Sequence, residues 1–418
     1  MARFKFGLFG TGRGIALAQD FLSLGCELVA MCDFHEARLN KAVNWLKTDA
    51  KCYDNFDEFI EHDMDIVILA NFFHEHAPYA IKCLEKGIHV YSECISNGTM
   101  AEGVALMEAA EKSNAVYMLA ENYPQMNFNM EMQKVIKSGN LGRIVYAEGE
   151  YNHPMHYEDL NMRRLYNYFP DHWRSWCPTS YYVTHSIGPL MRATGASPKK
   201  VSAFAAFADP VYRESDGIQV TDSAAIITTY NDDKSVFKVT GCAGYGAHGS
   251  FYRFCGTKGQ IENLRSAPGT VMTRYNSWEK PEGSPVKLLY EASYDDPDIA
   301  KISKSGHGGS DYITARIFLE SIEKGEQPPF PYNVDAAIAM SSVAILGHRS
   351  ILEGGKSFEI PNFREEKWKE IYRNDTLSPI PGSDGTRPSI PCSSVPNSGP
   401  NEEQCKKFFD EIKDMPVV

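Results

Sequence analysis

Short apolar runs alternate with amphipathic stretches over the first 121 residues. The apolar runs predict strands, and the stretches between them have the periodicity and length of helices. The predicted strands are Lys5–Phe9, Glu27–Cys32, Asp65–Ala70, His89–Ser92 and Val116–Ala120. The predicted helices are Ala16–Leu24, Arg38–Leu46, Ala77–Glu85 and Met100–Lys112. Strands joined by helices predict a doubly wound α/β domain, with a parallel sheet covered on both faces.

The pattern changes after residue 122, where strands follow one another with only turns between them. The predicted strands are Ile144–Tyr151, Val201–Phe207, Ser223–Tyr230 and Ser235–Gly241. Helices are predicted before and after them, at Met126–Lys137, Tyr312–Glu323 and Asp335–Glu353. Consecutive strands predict a large, mostly antiparallel sheet in an α+β domain.

The last part of the chain has a different composition. Residues 374–400 are rich in proline, glycine and serine, which predicts an extended strap rather than a packed unit. An amphipathic helix should follow, with apolar residues at Cys405, Phe408, Phe409 and Ile412, docked on the body or on a neighbouring subunit. We therefore expect three parts: a dinucleotide-binding domain (1–122), a substrate and oligomerisation domain (123–373), and a strap with its helix (374–418).

Charge and composition narrow the class of protein. The 418 residues include 54 acidic and 42 basic ones, for a formal charge of −12. Such a surface repels nucleic-acid phosphates and anionic lipid. No apolar run approaches the about 18 residues of a membrane span, and the N-terminus lacks the pattern of a signal peptide. The 10 cysteines are scattered without a C-x-x-C pair, so we expect a cytoplasmic protein with reduced thiols that acts on a small molecule.

A glycine-rich loop follows the first predicted strand and leads into a helix, where backbone N–H groups can approach a pyrophosphate. It consists of Gly10, Thr11, Gly12, Arg13 and Gly14, although Ile15 occupies the third glycine position of the strict motif. Asp33 ends the second strand and could accept hydrogen bonds from ribose hydroxyls. It would repel a 2′-phosphate, which favours NAD over NADP. Arg38 could face a phosphate, the adenine or solvent, and Asp33 could be an ordinary turn residue.

Further segments have a recognisable order along the chain. They are Asn71-Phe72-Phe73-His74-Glu75-His76, Gly87 to Ile95, Tyr117 to Tyr123, Leu141-Gly142-Arg143-Ile144, Cys255-Gly256-Thr257-Lys258-Gly259 and Glu359 to Phe363. In this order they resemble the Gfo/Idh/MocA family, the relatives of glucose–fructose oxidoreductase and inositol dehydrogenase. The resemblance implies a Rossmann domain, bound NAD and a second domain built on a sheet. It also implies cofactor contacts at Asn71, His76, Glu93 and Asn122.

One position departs from the family pattern. The dehydrogenases of the family place the lysine of a Glu-Lys-Pro signature at the reacting hydroxyl, and here Cys94 stands there, with Ile95 in place of the proline. A thiol has no positive charge with which to stabilise an alkoxide. The usual lysine-assisted mechanism is therefore not expected.

A branch of the family without that lysine resembles the chain more closely, namely the NAD-dependent glycosidases typified by α-N-acetylgalactosaminidases. The matching residues are Tyr151, the pair Trp173-Arg174, the motif Tyr182-Val183-Thr184-His185 and the motif His307-Gly308-Gly309-Ser310-Asp311. The resemblance implies catalytic or substrate contacts at His185, Tyr182, Tyr151, His307 and Arg174, and a cofactor contact at Trp173.

Each of these side chains also has a structural alternative. His185 could accept a hydroxyl proton, since imidazole titrates near neutrality, or it could be a core histidine bonded to a backbone carbonyl. Tyr151 and Tyr182 could be acids, bases or packing residues, and Arg174 could form a surface ion pair. Neighbouring histidines at 153, 156 and 172 lack a cysteine or carboxylate cluster, so no metal site is expected.

The resemblance implies an NAD-dependent enzyme that acts on a sugar or glycoside. The favoured reaction is redox-neutral: oxidation at C3, removal of the C2 proton, loss of the C1 aglycone, addition of water and re-reduction. A first alternative is a glycoside 3-dehydrogenase that releases a keto sugar. A second is a non-catalytic NAD-binding regulatory or scaffold subunit, which the absent lysine would suit. A homo-oligomer is expected in each case.

Overall fold

The fold is taken from a computed structural model. It describes residues 2–154, 172–206 and 221–395, together with 403, 406, 407, 410 and 411. The apolar residues on which the C-terminal helix was predicted, Cys405, Phe408, Phe409 and Ile412, lie outside the described residues, as does His156. No helix of the described residues is both long and apolar enough to cross a membrane.

The first sheet has six parallel strands in the order β3-β2-β1-β4-β5-β6. They are β1 (Lys5–Phe9), β2 (Glu27–Cys32), β3 (Lys51–Tyr53), β4 (Ile66–Leu69), β5 (His89–Ser92) and β6 (Tyr117–Leu119). Every residue of β4 is buried, because helices cover both faces of the sheet. The predicted doubly wound domain is confirmed. The three-residue edge strand β3 was not predicted, since so short a run has little periodicity.

The helices of this sheet follow the predicted ones within a few residues. They are α1 (Gly14–Ser23), α2 (Glu36–Leu46), α3 (Phe56–Phe59), α4 (His76–Glu85) and α5 (Met100–Lys112). The start of α5 is fixed by a capping box, in which the Thr99 side chain accepts from the Glu102 amide and Glu102 reaches back to the Thr99 amide. The short helix α3 was not predicted.

The second sheet has nine strands in the order β14-β13-β12-β11-β7-β10-β9-β8-β15. Its strands are β7 (Ile144–Asn152), β8 (Pro198–Ala206), β9 (Ala224–Asn231), β10 (Val236–Ala243), β11 (Gly249–Gly256), β12 (Gly259–Leu264), β13 (Ala267–Tyr275), β14 (Lys287–Glu291) and β15 (Phe358–Glu359). The pair β10–β7 is parallel and the remaining recorded pairs are antiparallel, which confirms the predicted mostly antiparallel sheet. Strands β11 to β14 were not predicted, because polar and glycine residues interrupt their alternation.

Helices of the second part pack on both sheets. They are α6 (Asn127–Lys137), α7 (Trp173–Trp176), α8 (Thr184–Thr194), α9 (Ile299–Ile302), α10 (Ser310–Lys324), α11 (Val334–Leu352) and α12 (Glu366–Tyr372). Helix α10 contacts α1 of the first domain, and α11 lies between α5 and β8. Helix α8 lies almost in backbone contact with β7, because a Cβ on Gly149 would be 2.1 Å from the Ser186 carbonyl oxygen.

The proline-rich residues 374–395 run over the surface of the body. The Ser383 amide donates to Oε1 of Glu75 at 2.7 Å, and the His74 ring nitrogen Nε2 lies 3.0 Å from the Pro381 carbonyl oxygen. Further along, the Ser394 amide donates to Asp222 at 2.8 Å. These polar contacts hold the strap without a core of its own.

The contact between β7 and α8 gives a stability prediction. Gly149→Ala should lower the free energy of unfolding by about 1–3 kcal/mol, the usual cost of overpacking, because the new methyl group must displace the α8 backbone. Urea denaturation measures the change. The matched control is Gly249→Ala, on the neighbouring strand β11, where a Cβ would meet nothing within 4 Å. Equal stability of the two variants would contradict the prediction.

Candidate active site

The carboxyl ends of the parallel strands converge on one edge of the first sheet. The glycine loop follows β1, Asn71 follows β4, Glu93 follows β5, and Glu121 follows β6. Ligands of open α/β sheets bind at this edge, beside the point where the strand order reverses. The edge therefore collects the predicted cofactor residues of four separate loops, since Asn122 follows Glu121.

Close packing shapes the glycine loop. Gly10 has φ +89°, and a Cβ there would lie 2.3 Å from the Ala70 carbonyl oxygen. A Cβ on Gly14 would lie 2.5 Å from Cδ1 of Leu8. Side chains at these positions would push the loop away from the sheet, so glycine keeps the backbone N–H groups at the start of α1 close to the cleft.

Asp33 is anchored at the end of β2. Its carboxylate accepts from the amide and the hydroxyl of Thr11, each at 2.8 Å, and from the His35 amide at 3.0 Å. These bonds fix the carboxylate at the rim of the cleft. Asp33 thus joins the strand end to the glycine loop, and its contact with the ribose stays a prediction.

A cleft of about 220 Å³ lies over these residues. Its lining comprises Phe9, Gly10, Gly12, Arg13, Asp33, Phe34, His35, Arg38, Ala70, Asn71, Phe72, His172, Trp173 and Arg174. Asn71 Oδ1 is buried without a hydrogen-bond partner among the described residues, which suits an acceptor waiting for a ligand donor. The glycine loop, the anchored Asp33 and this free acceptor fit NAD.

Arg13 and Glu93 contact each other across this edge. Nε of Arg13 lies 3.0 Å from Oε1 of Glu93, and its Nη2 lies 2.8 Å from Oδ2 of Asp311. Asn122 donates through Nδ2 to Oδ1 of Asp311 at 2.5 Å. Arg13 and Asn122, and Glu93 through Arg13, are therefore linked to Asp311 in the first turn of α10. Asp311 is the last residue of the motif that begins at His307.

Glu121 is the buried centre of the site. Nδ1 of His185 lies 2.9 and 3.0 Å from its two carboxylate oxygens, and Sγ of Cys94 lies 3.3 Å from Oε2. The Tyr123 amide also donates to it, at 3.1 Å. Burial alone would raise the pKa of Glu121, but His185 and the Tyr123 hydrogen bond outweigh burial and lower it. An ionised Glu121 orients the His185 ring and leaves Nε2 available.

Cys94 takes part in this arrangement as a neutral donor. Burial, reinforced by the Glu121 charge, raises the pKa of its thiol well above the ordinary value. The S–H group therefore satisfies one acceptor position of Glu121. Cys94, Glu121 and His185 are therefore joined by hydrogen bonds to one another. The expectation that the protein holds no metal stays a prediction.

Three tyrosine rings surround His185. Tyr123 stacks on its ring at 4.2 Å, while Tyr151 and Tyr182 meet it edge-on at 4.9 and 5.1 Å. Burial raises the pKa of all three tyrosines well above the ordinary value. The three tyrosines therefore keep their protons, donate hydrogen bonds and enclose His185. This environment disfavours the role of base that was considered for Tyr151 and Tyr182.

His307 forms a second carboxylate–histidine pair. Its Nδ1 lies 3.0 Å from Oδ2 of Asp311, whose side chain is 1% exposed, whereas His307 is 37% exposed. The rings of Tyr123 and His307 are 6.1 Å apart. Two histidines, each held at Nδ1 by a buried carboxylate, thus lie next to Tyr123.

The remaining predicted residues form a wall beside the cleft. The ring of Phe73 stacks between Trp173 and Tyr182, at 4.9 Å from each. The Arg174 guanidinium lies 4.8 Å from the Trp173 ring and 6.0 Å from the Tyr182 ring. It therefore lies where the cofactor cleft meets the tyrosines.

His76 is buried in the loop after β4. Its Nδ1 lies 3.0 Å from the Ile95 carbonyl oxygen, and its Nε2 has no hydrogen-bond partner among the described residues. Burial lowers the pKa of His76 to about 4. The ring is therefore neutral at physiological pH.

Sequence reasoning missed several residues that the geometry makes central. Glu121, Tyr123, Phe73 and Asp311 were not proposed as site residues, although each lies inside a segment that was singled out. A signal was available for Glu121: a charged residue directly after a fully apolar strand lies at the ligand-binding edge of a parallel sheet. Tyr123 and Phe73 carried no such signal, because aromatic residues are abundant in cores.

Comparisons with known proteins match nearly all of the body. The model "Oxidoreductase family, NAD-binding Rossmann fold" matches residues 4–121, and "GFO/IDH/MocA C-terminal domain" matches residues 129–262. The model "Glycosyl hydrolase 109, C-terminal domain" matches residues 249–370.

Individual relatives agree with these models. A glycosyl hydrolase family 109 protein of Shewanella sp. (strain MR-4) is 24% identical over 401 residues, covering 87% of this chain and 86% of the relative. An α-N-acetylgalactosaminidase of Shewanella oneidensis is 24% identical over 404 residues, with the same coverage of 87% and 86%.

Solved structures share the fold. A levoglucosan dehydrogenase in complex with NADH and L-sorbose has a TM-score of 0.71 at 17% identity, covering 86% of this chain and 100% of that one. The myo-inositol 2-dehydrogenase of Lactobacillus plantarum has a TM-score of 0.65 at 17% identity, covering 86% and 99%.

A Rossmann domain with a fitted dinucleotide cleft, joined to a sheet domain that supplies two histidines, defines an NAD-dependent enzyme. The chain belongs to the Gfo/Idh/MocA oxidoreductase family, whose two domain models together match more than half of it, and residues 249–370 also match the glycosyl hydrolase 109 model.

Asp33 gives the first site prediction. Asp33→Ala should weaken NAD binding by about 1–3 kcal/mol, the scale of a lost charge-assisted hydrogen bond. Isothermal titration calorimetry measures the change, with Asp63→Ala as the matched control, because Asp63 pairs with Lys5 at the surface. Unchanged affinity in Asp33→Ala, or tighter binding of NADP than of NAD by the wild type, would remove Asp33 from the ribose.

Cys94 gives the second prediction for the site. Cys94→Ser keeps a donor toward Glu121, and Cys94→Ala leaves the carboxylate with the His185 and Tyr123 donors. Both variants should therefore turn over within about tenfold of wild type, below the range of acid–base effects. Steady-state turnover on the best glycoside measures this. A loss beyond about 10²-fold in Cys94→Ser, with folding intact by circular dichroism, would show that the thiol itself is catalytic.

Proposed function

We propose that the protein cleaves a glycoside without net oxidation, using NAD as a recycled cofactor. The names of its family 109 relatives support a sugar substrate, since one of them is an α-N-acetylgalactosaminidase. The levoglucosan and myo-inositol dehydrogenases among its structural neighbours also act on sugars or polyols, as their titles state. The identity of the sugar, its anomer and the aglycone stay open in this proposal.

The observation that carries the proposal is the presence of two carboxylate–histidine pairs beside Tyr123. A dehydrogenase needs one base, for the hydroxyl that is oxidised. Transient oxidation followed by elimination needs more proton transfers: from the hydroxyl, from the neighbouring carbon and to the leaving oxygen. His185 with Glu121, and His307 with Asp311, provide two imidazole groups held in place for proton exchange.

Bound NAD supplies a hydride acceptor at the start of the cycle and a hydride donor at its end. The glycine loop, Asp33 and Asn71 would hold it. Nε2 of His185 accepts the proton of the substrate hydroxyl, because its Nδ1 is already committed to Glu121. The ionised Glu121 then stabilises the imidazolium that forms, as the orienting carboxylate does in other histidine bases.

His307 carries the second set of proton transfers in this proposal. A ketone at C3 acidifies the C2–H bond, so a neutral histidine is a sufficient base. Expulsion of the aglycone then requires a proton at the leaving oxygen, and the half-exposed ring of His307 lies where solvent can reach it. Water adds at C1 of the resulting unsaturated ketone and a proton returns to C2, before the C3 ketone is reduced again. Tyr151 and Tyr182 keep their protons and donate hydrogen bonds to sugar hydroxyls, while Arg174 lies beside them at the cofactor cleft.

Two alternatives make different use of the same residues. A glycoside 3-dehydrogenase would use His185 alone, and the dehydrogenase titles of the structural neighbours favour it. A non-catalytic scaffold would need no base at all. The buried Glu121–His185 pair speaks against a scaffold, because burying a charge is costly without a function that uses it.

Incubation with a panel of aryl glycosides separates the three functions. Release of the aglycone without net NADH supports the proposal. Stoichiometric NADH with the aglycone still attached identifies a dehydrogenase. Neither product over the whole panel, in protein shown by calorimetry to bind NAD, favours the scaffold.

His185 gives the corresponding mutational prediction. His185→Ala should lower turnover by about 10²–10⁴-fold, the range for loss of a general acid–base group. NAD affinity should survive, because the glycine loop and Asp33 belong to the other domain. Circular dichroism checks the folded state, since the variant removes one partner of the buried Glu121 carboxylate. His62→Ala is the matched control, since His62 bonds Tyr53 away from the cleft. Activity of His185→Ala within a few-fold of wild type would make it a structural histidine.

A further inference from the structure

Arg13 stands in the glycine loop, yet its side chain reaches two carboxylates from other parts of the fold. It pairs with Glu93 at the end of β5 and with Asp311 in the first turn of α10. Its side chain is 31% exposed and that of Asp311 is 1% exposed. Because the Asp311 carboxylate is shielded from water, its contact with Arg13 is strong and fixed in geometry.

One carboxylate oxygen of Asp311 contacts both Arg13 and His307. Oδ2 accepts from Nη2 of Arg13 at 2.8 Å and from Nδ1 of His307 at 3.0 Å. Oδ1 accepts from Asn122. Burial would raise the pKa of Asp311, but the His307 hydrogen bond and the Arg13 charge hold it far below the ordinary value. Asp311 is therefore a permanent anion between a fixed cation and a histidine.

The backbone around His307 holds the ring in place. His307, Gly308 and Gly309 have φ values of +50°, +65° and +99°, a left-handed run that a histidine adopts only when its surroundings impose it. A Cβ on Gly306 would lie 2.4 Å from Oδ2 of Asp311. Ser305 fixes the start of the turn, since its hydroxyl donates to Asp20 on α1 and accepts from the Tyr312 amide, each at 3.0 Å.

We infer that Arg13 is a positioning residue for His307, acting through Asp311: it fixes the orientation of the ring and lowers its affinity for a proton. The inference deepens the proposed function, in which His307 exchanges protons with the substrate. Without Arg13 the Asp311 anion would favour the protonated ring and slow its release of a proton. The cation of the glycine loop offsets that anion, so His307 can both accept and release a proton.

Other groups face this pair from the elements packed around it. Glu93 approaches from β5 behind Arg13, and Tyr123 presents an uncharged ring. Asp20 reaches the turn from α1 through Ser305, and burial raises its pKa to about 7. The groups whose charge bears directly on His307 are therefore Asp311, which favours the proton, and Arg13, which opposes it.

The test is the pH midpoint of His307 protonation, measured by NMR on protein with labelled histidine and no added cofactor. His307→Gln assigns the signal. Arg13→Met should move the midpoint up by about half to one pH unit, and Asp311→Asn should move it down by about one, as expected for loss of a neighbouring charge. Arg13→Lys should restore most of the wild-type value. Arg316→Met is the matched control. Arg316 lies on α10, as Asp311 does, but it pairs with Asp296 and Asp298 instead of Asp311.

A midpoint in Arg13→Met that moves no more than in Arg316→Met would overturn the inference. So would shifts of Arg13→Met and Asp311→Asn in the same direction, which would indicate collapse of the turn. Where Asp311→Asn does not fold, the Arg13→Met, Arg13→Lys and Arg316→Met series decides alone. The measurement needs no turnover, so opposed shifts with no aglycone release on the panel would refute the proposed function and leave this inference standing.

Discussion

The Glu121 carboxylate accepts hydrogen bonds from parts of the chain that lie far apart in sequence: the thiol of Cys94, the ring of His185 and the amide of Tyr123. A buried anion of this kind is tolerated only when its partners are in place, because its desolvation otherwise costs roughly several kcal/mol. The end of β6 and the start of α8 are therefore held to one arrangement. The site exists because both domains meet at this carboxylate.

Close backbone approaches make that meeting possible. Gly188 lets α8 lie against Glu121, since a Cβ there would be 2.8 Å from its Cγ, and Gly149 lets β7 lie against the same helix. On the cofactor side, Gly10 and Gly14 let the loop after β1 lie close to the sheet. The glycines set how near the histidine of one domain comes to the dinucleotide cleft of the other. Rigid elements thus place His185, while a strained turn tied to Arg13 and Asp20 places His307.

The sequence allowed the first sheet to be predicted almost strand by strand, because fully apolar runs with helices between them have few other solutions. Strands β11 to β14 were missed, since polar and glycine residues interrupt their alternation. For the site, the family resemblance pointed to His185 and His307 but not to their carboxylate partners. Glu121 lies 64 positions from His185, and only the packing of α8 on the sheet edge brings them together. Cys94 stood out as a departure, and its role as a donor to Glu121 required the geometry.

In the proposed cycle, two oriented histidines serve the oxidation, elimination and re-reduction of one sugar within a single site. Cleavage of an active glycoside in D₂O, followed by NMR and mass analysis of the released sugar, distinguishes this cycle from direct cleavage. We expect one deuterium at C2, none from solvent at C3 and no accumulation of NADH, because the C2 proton exchanges with water while the C3 hydrogen returns from the cofactor. A released sugar without deuterium at C2 would refute the cycle, since the aglycone would then have left without elimination.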